Sequence, residues 1–204
     1  MIKAIIFDFG RVISAQKPQS LFRLYEEDLR LPPGTLNPVM FGSKVWEEVL
    51  VGRKTIEEYW HIIGPQIGLN NSEEIDTFRS RYRADEAIND GVLDLIHRLH
   101  GHYKLAVLSN SPPGLDQWLE DWGMLDRFDV VFCSGDEGVV KPDPTAFEIT
   151  LERLGVKPEE SVFIDDTMQH VEASRKLGLH GILFTTAETL EKELDGLLRT
   201  MSRG

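Results

Sequence analysis

The residues that could do chemistry are acids at the ends of apolar runs. Asp8 closes the run AIIF over 4–7, and Asp165 and Asp166 close VFI over 162–164. If both runs are central strands of one sheet, three carboxylates meet at one edge. Like charges that close repel and shift each other's pKa values. A hard, oxygen-seeking cation such as Mg²⁺ relieves that repulsion, taking one or two carboxylates and keeping part of its water. The plainer reading is that Asp8 and Asp165 are turn or cap residues facing water. Ser109 and Asn110 stand in VLSNSPPG, just before a helical pattern through Leu115 and Trp118. Free backbone N–H groups and a hydroxyl there could hold an anion, or could form an ordinary helix cap. Lys141, in VVKPDPTAF, sits between a turn at Gly138 and Pro142. A lysine so held is either a point charge for a phosphate or a solvated loop residue.

The elements that must position these groups are legible as short apolar runs. Ala4–Phe7, Leu105–Leu108, Val130–Cys133, Val162–Ile164 and Gly181–Phe184 mostly lack polar alternation, which suits parallel strands covered on both faces. Helical patterns lie between them. Val92, Leu95, Ile96 and Leu99 follow i, i+3, i+4, i+7 spacing. Asp143 and Pro144 form a helix start whose stop is Gly155. Val171 to Leu177 is helix-like and closes at Gly178, and Ala187 to Leu198 is a last amphipathic helix. The alternation predicts an α/β, doubly wound parallel sheet of Rossmann-like form. In such a sheet ligands sit outside the carboxyl ends of the strands, where Asp8, Ser109-Asn110, Ser134 and Asp165-Asp166 all fall.

The first strand stands apart from this series. From about Ser14 to Ala84 the pattern is helical only. Leu21, Leu24 and Tyr25 begin one helix. Thr55 with Glu58 makes a capping box before Ile56, Tyr59, Trp60 and Ile63. Asn71 and Glu74 start another helix that carries Ile75, Phe78 and Tyr82. Breaks at Pro32-Pro33-Gly34 and Gly64-Pro65 separate them. The expected organisation is a core of residues 1–14 and 85–204 with an all-helical cap over 15–84. Trp46 and Trp60 are expected in the core of that cap, though one of them could line the pocket.

Composition narrows the partners. The chain has 204 residues, with 22 Lys and Arg against 34 Asp and Glu, for a formal charge of −12. Such an excess of acid repels a phosphate backbone, so no nucleic-acid partner is expected. No apolar run approaches the roughly 20 residues needed to span a bilayer, so no membrane partner is expected. One cysteine, Cys133, rules out an internal disulfide and suits a reducing compartment. The opening MIKAIIFDFG carries an acid inside its apolar stretch and does not read as a signal peptide. A cytoplasmic setting is the expectation. No GxxxxGK or GxGxxG loop is present, which disfavours nucleotide-dependent reactions. His61, His97, His100, His102 and His180 lack metal-ligand spacing, and Asp116, Glu120 and Asp121 read as a solvated helix face.

Taken in order, these parts resemble a known family. FDFGRVI, VLSNS, VVKPDP and VFIDD are similar to the four successive motifs of the haloacid dehalogenase-like hydrolases, in the subgroup with a helical cap after the first motif. VEASRKLGLHGILF resembles the usual continuation, and WEEVLVGRKTIEEYW resembles the insert more loosely. The resemblance implies two-step phosphoryl transfer. Asp8 would be the nucleophile and form an aspartyl-phosphate. Mg²⁺ would be held by Asp8, the Gly10 carbonyl and Asp166, with Asp165 beside it. Ser109 and the Asn110 amide would hold phosphate oxygens, and Lys141 would offset charge on nucleophile and phosphate. A carboxylate attacking a phosphate dianion needs such neutralisation.

Two positions depart from the family pattern. The second aspartate of the first motif, its general acid–base, is replaced by Gly10. Glycine cannot protonate a leaving group or activate water, a service worth about 10²–10⁴-fold. Some relatives resembling this chain share Asp-x-Gly, among them phosphatases acting on sugar phosphates. Arg11 and residues of the cap are the candidates to take over the task. His170 stands where relatives carry an amide or acid, and could orient Asp166, tune the site near neutral pH or be exposed. Three readings follow: a Mg²⁺-dependent phosphatase of a small phosphorylated metabolite, with sugar phosphates the class suggested by resemblance; a metal-independent 2-haloacid dehalogenase; and a non-catalytic homologue that binds a phospho-ligand or a protein.

Overall fold

The structure is a computed structural model that describes residues 1–201. The elements run β1 (Ala4–Phe7), α1 (Gln19–Asp28), α2 (Leu36–Phe41), α3 (Lys44–Leu50), α4 (Ile56–Ile63), α5 (Ser72–Ala84), α6 (Asp90–Leu99), β2 (Lys104–Ser109), α7 (Leu115–Asp121), β3 (Val130–Cys133), α8 (Ser134–Glu137), α9 (Pro144–Leu154), β4 (Ser161–Asp165), α10 (Met168–Lys176), β5 (His180–Leu183) and α11 (Ala187–Met201). The five strands form one parallel sheet in the order β3-β2-β1-β4-β5. The expected doubly wound α/β sheet is therefore what the chain adopts.

Alternating side chains of each strand enter different cores. Ile5, Phe7, Leu105, Val107, Val162 and Ile164 pack with Val92, Leu95 and Ile96 of α6 and with Leu190 and Leu194 of α11. Ala4, Ile6, Ala106, Leu108, Phe132 and Phe163 pack with Phe147, Leu151 and Leu154 of α9. Burial on both faces is what the unbroken apolar runs require. The strand order reverses direction at β1, with β2 on one side and β4 on the other. That switch point opens a crevice at the carboxyl ends of β1 and β4, where Asp8 and Asp165 emerge.

The helices α1–α5 carry a third core of their own, which includes Tyr25, Met40, Val49, Tyr59, Trp60, Ile63 and Phe78, with Trp46 packed against it. Its rings meet edge-on or tilted, as in Tyr25–Phe78 at 5.6 Å and Trp60–Phe78 at 5.8 Å. The chain leaves and returns to the sheet side by side. Ala15 N–H donates to the Ala87 carbonyl at 2.8 Å, and Asn89 N–H to the Ile13 carbonyl at 2.9 Å. Lys17 and Glu86 bridge the two connections with an ion pair of 2.6 Å. Two contacts join the helices to the sheet region. Arg83 pairs with Asp121 and stacks on the Trp118 ring at 4.4 Å. Gly52 lies directly on the Gly135 carbonyl oxygen, where a Cβ would overlap it. Asp121 is thus engaged by the helical insert, where the sequence suggested only a solvated face.

Two local details differ from the sequence reading. Leu24, expected on the apolar face of the first helix, is 50% exposed. Glu26 is buried instead, because its carboxylate has a task. Its oxygens accept the Gly34 N–H and the Leu36 N–H, both at 2.9 Å, and so tie α1 to the turn before α2. Those backbone hydrogen bonds hold its pKa below the usual glutamate range. A carboxyl with a lowered folded pKa stabilises the fold above its unfolded pKa, near 4.3, and that contribution is lost as pH falls through the folded value. Glu26→Ala is expected to lower stability by about 1–3 kcal/mol at pH 7. In denaturant titrations the gap between variant and native protein should close on going below about pH 4. Equal midpoints at pH 7 would contradict this role.

Candidate active site

The sheet delivers its polar residues to one edge. Asp8 follows β1, and its N–H still pairs with the Ile164 carbonyl at 2.8 Å, so the strand register carries through to the acid. Its carboxylate accepts the Phe9 N–H at 2.8 Å and the Lys141 ammonium at 2.8 Å. Lys141 is only 2% exposed and donates a second bond, 2.7 Å long, to Asp165. Asp165 is fully buried and also accepts the Thr167 N–H at 2.8 Å and His170 Nδ1 at 3.1 Å. Asp166 lies beside it, reached by the Thr167 hydroxyl at 3.2 Å and by Arg11 Nε at 3.0 Å.

Burial and charge set the protonation of this cluster. Burial pushes the Asp8 carboxyl above its ordinary range, against the pull of Lys141, and the neighbouring Asp165 and Asp166 raise it further. Burial alone would also raise Asp165, but the hydrogen bond from His170 and the Lys141 ammonium outweigh it and hold it low. Lys141 loses solvation too, yet Asp8 and Asp165 together keep its pKa raised, so it stays an ammonium ion. Formally, the three carboxylates outnumber the two cations that touch them, Lys141 and Arg11.

Carboxylate oxygens of Asp8, Asp165 and Asp166 all lie within 4.8 Å of one another. An acidic, oxygen-only cluster of that size fits a hard divalent cation such as Mg²⁺. Because Asp165 is occupied by Lys141 and His170, the freer donors are Asp8, Asp166 and backbone carbonyls of the adjoining turn. That turn contains Gly10, with φ −65° and ψ 124°, and Arg11, with φ 61° and ψ 6°. These are the angles of a type II turn.

The loop after β2 adjoins Lys141. Ser109 ends the strand, 3% exposed. The Asn110 side chain accepts the Lys141 N–H at 2.8 Å and donates to the Lys141 carbonyl at 2.9 Å. It thereby fixes the backbone from which the lysine reaches Asp8. Ser111 is held in turn by Ser134, whose hydroxyl accepts the Ser111 N–H at 3.0 Å.

The sequence profile of the haloacid dehalogenase-like hydrolases matches residues 2–178. The chain belongs to that family. Among curated proteins, this hydrolase is 30% identical over 201 residues to the sesquiterpene phosphatase astK of Aspergillus oryzae, with 96% of each chain covered. It is 26% identical over 191 residues to the D-ribitol-5-phosphate phosphatase of Bacteroides thetaiotaomicron, covering 87% of this chain and 89% of that one. Several larger relatives are matched over only 19% to 38% of their own length. Its fold is similar to a solved haloacid dehalogenase-family enzyme, Bt-2542 of Bacteroides thetaiotaomicron, in complex with magnesium and inorganic phosphate. The TM-score is 0.74 at 20% identity, and the match covers 91% of this hydrolase and 96% of that chain.

The structure of this hydrolase gathers Asp8, Lys141, Asp165 and Asp166 into one cluster, with Gly10 in the turn after Asp8, Ser109 at the end of β2 and Asn110 just past it. It differs from the sequence reading at His170, which contacts Asp165 and not Asp166. Two parts were missed: the Asn110 side chain as a strut for Lys141, and the Arg11–Asp166 pair. An asparagine two residues past an apolar run is a common turn residue, so only the fold reveals what it spans. None of the other five histidines belongs to a metal-ligating group among the described residues, and no helix there is long and apolar enough to cross a membrane.

Proposed function

We propose that this hydrolase is a Mg²⁺-dependent phosphatase of a small phosphorylated metabolite. One observation carries the reading: a buried lysine bonds Asp8 at 2.8 Å and Asp165 at 2.7 Å, while a third acid completes an oxygen cluster that a divalent cation fits. In this reading Asp8 is the nucleophile. One of its oxygens attacks phosphorus as the bond from phosphorus to the leaving oxygen breaks, giving an aspartyl-phosphate and an alcohol that takes its proton from solvent. Water then attacks phosphorus, the bond to Asp8 breaks, and phosphate leaves with the carboxylate restored. Lys141 orients Asp8 and balances its charge, Ser109 and the Asn110 N–H hold phosphate oxygens, and Asp165 with His170 fixes Lys141. Asp8, Asp166 and the Gly10 carbonyl would hold a divalent ion, which would supply charge neutralisation to the phosphoryl oxygens.

The helices over 15–84 serve as the cap, excluding water and choosing the leaving group. The phosphatase relatives support the reaction class, and their names span a terpenoid and a polyol phosphate. A 2-haloacid is the poorer candidate, because the carboxylate of such a substrate would face three acids.

The test is phosphate release from p-nitrophenyl phosphate and from a panel of sugar, polyol and isoprenoid phosphates. Turnover is expected with Mg²⁺ and should fall to background with EDTA. Halide release from a 2-haloacid that survives EDTA, with no phosphate release, would replace this reading with dehalogenation.

A further inference from the structure

Arg11 stands in a costly place. Its φ of 61° lies in the left-handed region, at the position of a type II turn that glycine or asparagine ordinarily takes. A residue held there against its preference invites a functional reading of its side chain. The guanidinium reaches across to Asp166, Nε to Oδ2 at 3.0 Å, while remaining 58% exposed at its outer side. It is therefore a cation laid on the acid cluster from the solvent side, one turn after Asp8. Lys141 approaches the same cluster from the buried side and already serves Asp8 and Asp165.

We propose that Arg11 is an internal counter-cation that competes with the divalent ion for Asp166 and so sets the affinity of the site for metal. The proposal rests on the metal reading given above. Without an ion, the guanidinium offsets part of the charge of three crowded carboxylates and keeps Asp166 turned toward them. When a divalent ion arrives, it joins Lys141 and Arg11 on one small cluster, and Arg11, the more exposed of the two side chains, is driven outward. It has somewhere to go. A cavity of about 640 Å³ opens beside it, lined by Gln16, Asn89, Asp90 and Glu188 as well as by Arg11 and Asp166. Two amides and two carboxylates give the displaced guanidinium new partners. The coupling is reciprocal: whatever factor Arg11 costs the metal, the metal costs the Arg11–Asp166 pair.

The test is Mn²⁺ titration followed by electron paramagnetic resonance, a readout independent of turnover. The proteins are the native chain, Arg11→Gly, Asp166→Asn and the double variant. Glycine suits the left-handed turn, so Arg11→Gly keeps the backbone. It should bind Mn²⁺ about fivefold or more tightly than the native chain. Asp166→Asn should weaken binding, and in that background Arg11→Gly should lose most of its effect, because the acid through which it acts is gone. Native binding that Asp166→Asn weakens but Arg11→Gly leaves unchanged would overturn this inference alone. So would an equal gain in both backgrounds. No saturable binding by any of the four proteins would overturn the metal reading and this inference with it.

Discussion

Asp8→Asn is expected to abolish phosphate release, by on the order of 10⁴-fold or more in kcat. Asparagine has nearly the shape of aspartate but offers no anionic oxygen to phosphorus. The loss should not come from unfolding. Burial works against the charge of Asp8, so removing that charge does not remove a stabilising group. Lys141 keeps Asp165 at 2.7 Å, so the buried ammonium is not left alone. Thermal melts and phosphate binding of the variant should therefore stay close to native values while turnover disappears. Substantial Mg²⁺-dependent turnover by Asp8→Asn would remove Asp8 as the nucleophile.

Gly10→Asp should move activity the other way. Backbone angles of −65° and 124° are open to any L-residue, and a Cβ at Gly10 would meet nothing within 4 Å. The place vacated by the second aspartate of the family's first motif is therefore sterically free. A carboxyl there would lie two residues from Asp8, at the mouth of the site. It could protonate the leaving oxygen in the first step and accept the proton of water in the second. Such help is worth about 10²–10⁴-fold. The gain should be large for alkyl phosphates, whose leaving groups need a proton, and small for p-nitrophenyl phosphate in the first step. An equal or lower rate on alkyl phosphates would mean that another group already does this work.

The sheet was open to sequence reading because each strand is apolar on both faces and is stopped by a polar residue. Asp143, Pro144 and Gly155 bounded α9 for a local reason: a cap side chain, a fixed φ and a left-handed stop act within a few residues. The capping box of Thr55 and Glu58 was legible for the same reason. The acids were legible too, since Asp8 and Asp165 each end a run whose strand pairing places them together. What escaped depends on distant partners. Nothing near Glu26 announces that its carboxylate will serve the amides of Gly34 and Leu36. The short helices α2 and α3 are held by the aromatic core of the insert more than by their own periodicity. Arg11 reads as one basic residue in a turn until its angles and its reach to Asp166 are seen. His170 selected Asp165 over Asp166 because α10 starts just past the acids and aims one imidazole nitrogen at the buried carboxylate.

The same geometry makes a kinetic expectation. With glycine at position 10, the carboxyl that the family's first motif carries there to activate water is missing, so loss of phosphate from Asp8 should lag behind its formation. The most direct measurement is mass analysis of enzyme mixed with p-nitrophenyl phosphate and Mg²⁺ and quenched in acid within the first turnover. A phosphoryl adduct on the peptide that contains Asp8, absent in Asp8→Asn and absent with EDTA, is the predicted result. An adduct on a different residue, or steady turnover with none on Asp8 at any quench time, would contradict the account.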